Sequence, residues 1–237
     1  MPLNTPPLTL YKYLPDRIDF FDSPCLRFTP INELNDPFEC RFTVNKDKNT
    51  TFLSSALEML PRLVNSFTDT GILSLSSSND NLLMWAHYTK NHSGFVIGMD
   101  TEHEFLRGVD KVNYTNERLH FCSDELFKTK KASFLYRNTF YKSLAWEYEE
   151  EWRLFRVFIS QMVPLKPHVK GLVECPADLI QQIFLGLNAS DDLKKAAISY
   201  CMMHPSASLY QANLHQSRYA LEFVPIEVKS LSSSDIE

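Results

Sequence analysis

The most distinctive stretch of the chain is Trp146-Glu147-Tyr148-Glu149-Glu150-Glu151-Trp152-Arg153, which runs into residues 154–159, all of them apolar except Arg156. Read as a β-strand, it places Glu147, Glu149 and Glu151 on one face, because strand side chains alternate. Carboxylates aligned in this way repel one another unless water, a cation or a hydrogen-bond donor compensates them. The acids therefore either lie in water at an exposed strand end or face a cleft at the mouth of a buried strand. The flanking aromatic residues favour the cleft.

The composition is that of a globular protein. Hydrophobic residues make up 44% of the 237 residues and charged residues 22%, which is enough apolar chain for a packed core. The formal net charge of -5 gives no general attraction to nucleic acid. No apolar run approaches the roughly 20 residues that span a bilayer, and the Pro-rich start lacks the regions of a signal peptide. We expect a cytoplasmic protein with no membrane partner and no general nucleic-acid binding.

Outward from the acidic stretch, strands and helices alternate without a regular β-α-β period. We expect strands at residues 10–13, 25–28, 71–76, 94–100, 109–114, 180–187, 208–212 and 219–225, and helices at 51–66, 81–90, 123–140 and after Ser190. Residues 30–40 form a loop rich in turn residues around Asn35-Asp36-Pro37. This pattern predicts an α+β fold with an extended arm at 1–9, a single domain at 10–227 and a polar tail at 228–237.

Several chemistries lack their sequence signals. Six glycines in the chain form neither a dinucleotide-binding fingerprint nor a phosphate loop, and there is no nucleophile elbow. The five cysteines are odd in number and scattered, which is typical of reduced thiols. His87 and His92 are five positions apart, so a helix would turn them to different faces. We therefore expect no metal site, and His87 is as well explained by a hydrogen-bonded core position.

Five motifs together resemble the bacterial domain-of-unknown-function family 2971 over about residues 8 to 225. They are Leu10-Tyr11-Lys12-Tyr13, Asn35-Asp36-Pro37-Phe38-Glu39, Leu73-Ser74-Leu75-Ser76 with Leu83-Met84-Trp85-Ala86-His87-Tyr88, Gly94-Phe95-Val96-Ile97-Gly98, and residues 146–153. At a greater distance the order of these motifs is similar to ADP-ribosyltransferase-like folds, which combine a Tyr-His-Tyr or Arg strand, a Ser-x-Ser strand and a Glu-x-Glu strand. Lys12 stands where many of those relatives carry His.

The resemblance to ADP-ribosyltransferase-like folds implies two small, mostly antiparallel sheets that form a cleft flanked by helices and bind NAD as a substrate. By this analogy Glu151 stabilises positive charge on the ribose and Glu149 helps to activate the attacking group. The same analogy gives the nucleotide-binding residues as Tyr11, Lys12, Tyr13, Ser74, Ser76 and Tyr88. The two acids would be the catalytic residues, and no metal would take part.

Three functions remain open from the sequence. The first is an NAD-using transferase or glycohydrolase, acting as a toxin or a phage-defence effector. The second is a catalytically inactive module that senses a nucleotide in the same cleft. The third is a structural or interaction protein, in which Arg153 pairs with Glu39 or Glu151 and fixes the acids without catalysis.

Overall fold

A computed structural model of the protein describes residues 5–40, 43–45, 70–122, 137–157 and 171–228. Three α-helices lie in these ranges: α1 (Asp19–Asp22), α2 (Leu82–Tyr88) and α3 (Asp191–Met203). Short 3₁₀ helices span Ile31–Glu33, Glu104–Leu106, Leu144–Glu149 and Ala177–Leu179. No described helix is both long and apolar enough to cross a membrane.

Fifteen strands are found in the described ranges, and they bear out the expectation of an α+β fold. Their bounds are β1 (Thr9–Leu14), β2 (Cys25–Arg27), β3 (Thr29–Pro30), β4 (Thr43–Asn45), β5 (Thr70–Ser76), β6 (Phe95–Asp100), β7 (Asp110–Lys111), β8 (Asn113–Thr115), β9 (His120–Cys122), β10 (Tyr141–Ser143), β11 (Glu151–Val157), β12 (Leu172–Glu174), β13 (Ile180–Leu185), β14 (Ser208–Leu214) and β15 (Leu221–Pro225).

The sheet architecture corrects the expectation of two small sheets. A nine-stranded sheet has the order β15-β14-β13-β6-β1-β5-β11-β7, with β3 also paired to β5. Its pairings are antiparallel except for β13 with β14, which run parallel. Three further sheets have two strands each: β10-β8, β12-β2 and β4-β9. The sequence pattern showed the strands, but pairing between distant strands depends on tertiary contacts that local periodicity does not report.

The large sheet is covered by apolar side chains on both faces. In the central strand β6, Ile97 belongs to one core cluster and the adjacent Val96 to the other. Side chains alternate along a strand, so these two clusters lie on opposite faces. Helix α3 packs Leu193 and Ala197 into the first cluster, and α2 packs Trp85 into the second. A strand buried on both faces has a nearly continuous apolar sequence, as β6 does up to its last residue, Asp100.

Helix α2 is less buried than its sequence indicates. Met84 and Trp85 are buried, but Leu82 is 39% exposed and Leu83 is 51% exposed. His87 is also exposed, so the core interpretation of this histidine is wrong. The helix begins after Asn81, whose side chain accepts hydrogen bonds from the backbone amides of Leu83 and Met84. Because it has only seven residues, it presents a single buried face.

The acidic stretch is not one continuous strand. Residues Leu144–Glu149 form a 3₁₀ helix, Glu150 adopts the left-handed conformation with φ 45°, and β11 begins at Glu151. The expected alternation of Glu147, Glu149 and Glu151 on one strand face is therefore wrong. The predicted helix at 51–66, most of that at 123–140, residues 158–159 and the tail after residue 228 lie outside the described residues.

Candidate functional site

Three neighbouring strands bring the predicted site residues together. Strand β5 lies between β1 and β11, and its last residue, Ser76, is paired with Tyr11 on one side and with Glu151 on the other. Ser74 is paired in the same way with Arg153 of β11. Cross-strand partners project to the same face of a sheet, so these polar residues form one row at this end of the strands.

A cavity of about 240 Å³, here called the acidic cavity, lies at this row. It is lined by all eight residues predicted as site residues: Tyr11, Lys12, Tyr13, Ser74, Ser76, Tyr88, Glu149 and Glu151. These residues come from segments that are far apart in sequence, and the fold brings them to one cavity. The exposed-edge interpretation of the acids is wrong, because Glu149 and Glu151 are 3% and 2% exposed.

The acids belong to a buried group of charges that we call the ion cluster: Glu39, Lys142, Glu149, Glu151 and Arg153. Lys142 Nζ lies 3.0 Å from Glu151 Oε2 and 3.3 Å from Glu39 Oε1, and it also pairs closely with Glu149. Three carboxylates and two cations carry a formal charge of -1, since 2 − 3 = −1. Burial of so many charges is tolerated only because each has partners.

Arg153 fixes the geometry of Glu151. Its Nε donates to Glu151 Oε1 at 2.7 Å and its Nη2 donates to Oε2 at 2.8 Å, which is a two-point interaction. The same guanidinium donates to the carbonyl of Thr139 and to Glu39. The sequence predicted that Arg153 pairs with either Glu39 or Glu151, and in the structure it pairs with both.

Charge partners decide the protonation of the cluster. Burial alone would raise the pKa of Glu151, but Arg153 and Lys142 lower it to about 2. Burial lowers the pKa of Lys142, yet the carboxylates of Glu151, Glu39 and Glu149 raise it above its ordinary value. Glu151 is therefore ionised and Lys142 protonated at neutral pH, and Glu151 is not an isolated acid facing a cleft.

Glu149 differs from Glu151 because its second carboxylate oxygen faces a hydroxyl. The hydroxyl of Tyr88 donates to Glu149 Oε1 at 2.5 Å, and the Asn35 side chain donates to Tyr88 at 2.8 Å. Burial raises the pKa of Glu149, and Lys142 offsets only part of this effect. An acid with a raised pKa beside a hydroxyl can exchange a proton with a group in the cavity.

Lys12 is the cation of the cavity that forms no ion pair with any described carboxylate. Its Nζ donates to the carbonyl of Ser74 at 2.9 Å. Burial lowers its pKa to about 8, although the carboxylates of Glu151 and Glu149 act in the opposite direction. A partly buried ammonium group without a close counter-ion favours the binding of an anion.

The aromatic residues of the cavity are held by the core. Tyr13 is 6% exposed, contacts the Trp85 ring edge-on and donates its hydroxyl to the carbonyl of Ser78. Tyr11 packs edge-on against Phe184. Tyr88 is half-buried and is bound to Glu149 and Asn35. Tyr88 is thus more accessible to a ligand than Tyr13.

Sequence reasoning missed Lys142, the residue at the centre of the ion cluster. It is 5% exposed and lies on β10. The sequence indicated this residue only weakly, as a single lysine between Phe140-Tyr141 and Leu144. The acids that follow it in the chain need a cation nearby. Asn35 lay in a motif that was recognised, but its contact with Tyr88 crosses 53 residues and leaves no local pattern.

Comparison with known proteins gives one partial match. Residues 84–154 match the model of a family described as "Protein of unknown function (DUF2971)". The region includes four of the five members of the ion cluster and is narrower than the span expected from the motifs. No curated protein and no solved structure matches the chain. The matched residues support a relationship between this chain and the DUF2971 family, whose function is unknown.

Proposed function

We propose that the acidic cavity binds NAD or a related anionic ribonucleotide and cleaves the bond between nicotinamide and ribose, as a transferase or a glycohydrolase. The observation that carries this proposal is the convergence of Lys12, the paired serines Ser74 and Ser76, and the acids Glu149 and Glu151 on one cavity. Lys12 supplies the counter-ion for a phosphate. The ion cluster supplies negative potential in a wall from which water is excluded.

The size of the cavity fits part of such a ligand. Ligand pockets commonly enclose about 300–1,000 Å³, and the acidic cavity has about 240 Å³. In this proposal the cavity holds the ribose with one attached ring, the phosphate next to that ribose contacts Lys12, and the remainder of the dinucleotide lies outside. In the proposed arrangement the reacting sugar, and not the adenine end, lies at the acids.

The chemistry follows from the charge that develops during cleavage. When the C–N bond breaks, its electron pair leaves with nicotinamide and positive charge develops on the ribose. The net negative charge of the ion cluster stabilises that charge. Glu149, with its raised pKa and its contact to Tyr88, accepts the proton from the attacking water or acceptor hydroxyl. Glu151 is held rigidly by Arg153 and contributes to the field.

One observation favours a second candidate, a module that binds the nucleotide without turnover. Both carboxylate oxygens of Glu151 already accept hydrogen bonds from Arg153, and one is also bound to Lys142. An acid that is neutralised in this way stabilises a cation less strongly. In this second proposal the same cavity senses a nucleotide, and the ion cluster is the frame that shapes it.

Two measurements on the purified protein test both candidates. Titration calorimetry with NAD, ADP-ribose and ATP measures binding, and chromatographic detection of released nicotinamide measures cleavage. We expect Lys12→Met, which removes the charge and keeps the length, to weaken binding by about 10-fold. We expect Glu149→Gln to reduce nicotinamide release by about 10²-fold. Glu147→Gln is the matched control, because Glu147 is exposed on the same 3₁₀ helix.

The outcomes separate the candidates. Binding without nicotinamide release, weakened by Lys12→Met, identifies the sensing module and contradicts the enzyme. Wild-type protein that binds none of the three nucleotides contradicts both proposals. If Glu149→Gln and Glu147→Gln reduce nicotinamide release equally, the reduction does not come from the acidic cavity.

A further inference from the structure

A second cavity of about 220 Å³, here called the loop cavity, lies on the other side of the 33–40 loop. Asn35 and Glu39 of this loop line the acidic cavity, whereas Asp36, Phe38 and Cys40 line the loop cavity. Residues 115–119, Asn138 and residues 141–143 complete its wall. Nothing in the proposed NAD chemistry uses this space.

Two buried polar side chains of the loop cavity each have one atom with no hydrogen-bond partner among the described residues. Asp36 is 4% exposed and Asn138 is 2% exposed. Asp36 Oδ1 accepts a hydrogen bond from the Phe38 amide at 2.9 Å, but Asp36 Oδ2 has no hydrogen-bond partner within the described ranges. Asn138 Nδ2 is likewise unpartnered there. Buried polar atoms are nearly always hydrogen-bonded, so an acceptor and a donor left open in one cavity require partners that the described residues do not supply.

The remaining lining selects the kind of ligand. Asp36 and Glu117 are acidic and Arg118 and Lys142 are basic, so the lining offers no excess of positive charge to a phosphate. Lys142 is moreover bound to three carboxylates of the ion cluster. Phe38 and Tyr141 contribute flat apolar surface, and the Arg118 guanidinium lies 4.8 Å from the centre of the Phe38 ring. A neutral, planar molecule fits this lining better than a phosphate does.

We propose that the loop cavity is a second binding site, for a neutral planar ring that carries a hydrogen-bond donor beside an acceptor. The N–H of such a ring donates to Asp36 Oδ2, and its acceptor atom receives a hydrogen bond from Asn138 Nδ2. A primary carboxamide on an aromatic ring has this edge, and so does an amino-substituted nucleobase. The site does not depend on the function of the acidic cavity, although Lys142 lines both.

Two pairs of small molecules test this chemistry by titration calorimetry on the full chain. Nicotinamide is compared with nicotinic acid, in which the N–H donor is replaced by a carboxylate oxygen. Adenine is compared with purine, which lacks the amino group. We expect at least one donor-bearing member to bind about 10-fold more tightly than its partner. Equal affinities within both pairs, or no binding by any of the four, would overturn the proposal.

Matched variants locate the binding. Asp36→Asn keeps Oδ1 for the Phe38 amide but turns the open acceptor into a donor, and Asn138→Asp makes the reverse change. Each is expected to weaken the preferred ligand by about 10-fold or more. Lys12→Met in the acidic cavity should leave this affinity within about twofold. Affinity that responds to Lys12→Met and not to Asp36→Asn would place the ligand in the acidic cavity and refute the loop-cavity site.

Circular dichroism and thermal melting report whether each variant folds. If either variant fails to fold, the comparison of ligand pairs on the wild-type protein still shows whether binding requires an N–H donor on the ligand. Failure of nucleotide binding in the acidic cavity leaves these expectations unchanged, so the two proposals fail separately.

Discussion

At the scale of single residues, Glu151 has the most direct consequence for stability. Its carboxylate is buried and bound by Arg153 and Lys142, so Glu151→Gln leaves two buried cations short of a counter-charge. Breaking a buried ion pair from one side costs about 3–5 kcal/mol of unfolding free energy. We expect a loss of this size in chemical denaturation at pH 7. Glu147→Gln, an exposed change in the same segment, should cost less than about 0.5 kcal/mol.

The same residue predicts a pH dependence. The pKa of Glu151 is lowered from 4.5 to about 2 in the folded protein. A depressed carboxyl pKa contributes stability that is fully present above the unfolded value and is lost as pH falls towards the folded value. The stability difference between wild type and Glu151→Gln should therefore narrow as pH falls from 4.5 towards 2. A difference that stays constant from pH 7 to pH 3 would contradict this account of the ion cluster.

The segments that meet at the acidic cavity were the most predictable feature, since all eight residues named from the sequence line it. Polar residues that alternate within apolar strands need a shared polar environment, and that requirement is visible in sequence. The partners of the acids were less visible. Lys142, and the link from Arg153 to Glu39, depend on which side chains meet across long stretches of chain.

At the scale of elements, helix α2 contributes chiefly through Trp85. This side chain is fully buried, contacts Tyr13 and Phe223, and donates its indole N–H to the carbonyl of Asn79 at 2.7 Å. We expect Trp85→Ala to cost about 3–5 kcal/mol of unfolding free energy, because a large buried side chain leaves a cavity. Leu82→Ala, on the exposed face of the same helix, should cost less than about 1 kcal/mol. Similar losses in the two variants would show that α2 does not pack through one face.

The end of α2 offers a stabilising change. Lys90, Asn91 and His92 follow the helix with φ of 53°, 57° and 64°. A non-glycine residue in the left-handed conformation destabilises the folded state by about 1–2 kcal/mol. Glycine avoids this strain but loses more conformational entropy on folding, which offsets part of the gain. Lys90 is exposed, so Lys90→Gly should raise the unfolding free energy by about 0.5–1 kcal/mol. Lys90→Ala, which retains the Cβ, is the control and should show no gain.

The acidic stretch shows where element prediction failed. Its alternating acids have the period of a strand, yet Glu149 ends a 3₁₀ helix and only Glu151 begins β11. The left-handed turn at Glu150 reorients the chain between them. That turn is held by the Ser77 amide, which donates to the Glu150 carbonyl, and by the Ser77 hydroxyl, which donates to the Glu150 side chain. Both contacts come from a distant segment, so the period alone could not reveal the turn.

At the scale of the whole molecule, the α+β class could be predicted and the strand order could not. Periodicity located β1, β5, β6, β13 and β14 to within a few residues, because each alternates or is continuously apolar. It did not show that β6 is the centre of a nine-stranded sheet or that β5 separates β1 from β11. Those pairings are fixed by contacts between strands that are remote in sequence.

The salt bridge between Arg153 and Glu39 joins residues 114 positions apart. Closing a loop of this length costs conformational entropy, which the other contacts of the fold must offset. During synthesis Glu39 leaves the ribosome well before Arg153 is made, and an acid without its partners stays hydrated in the growing chain. A chain interrupted before β11 has neither the ion cluster nor the acidic cavity. Whatever the cavity binds, a nascent chain cannot bind it there until residue 153 has been made and the distant segments have come together.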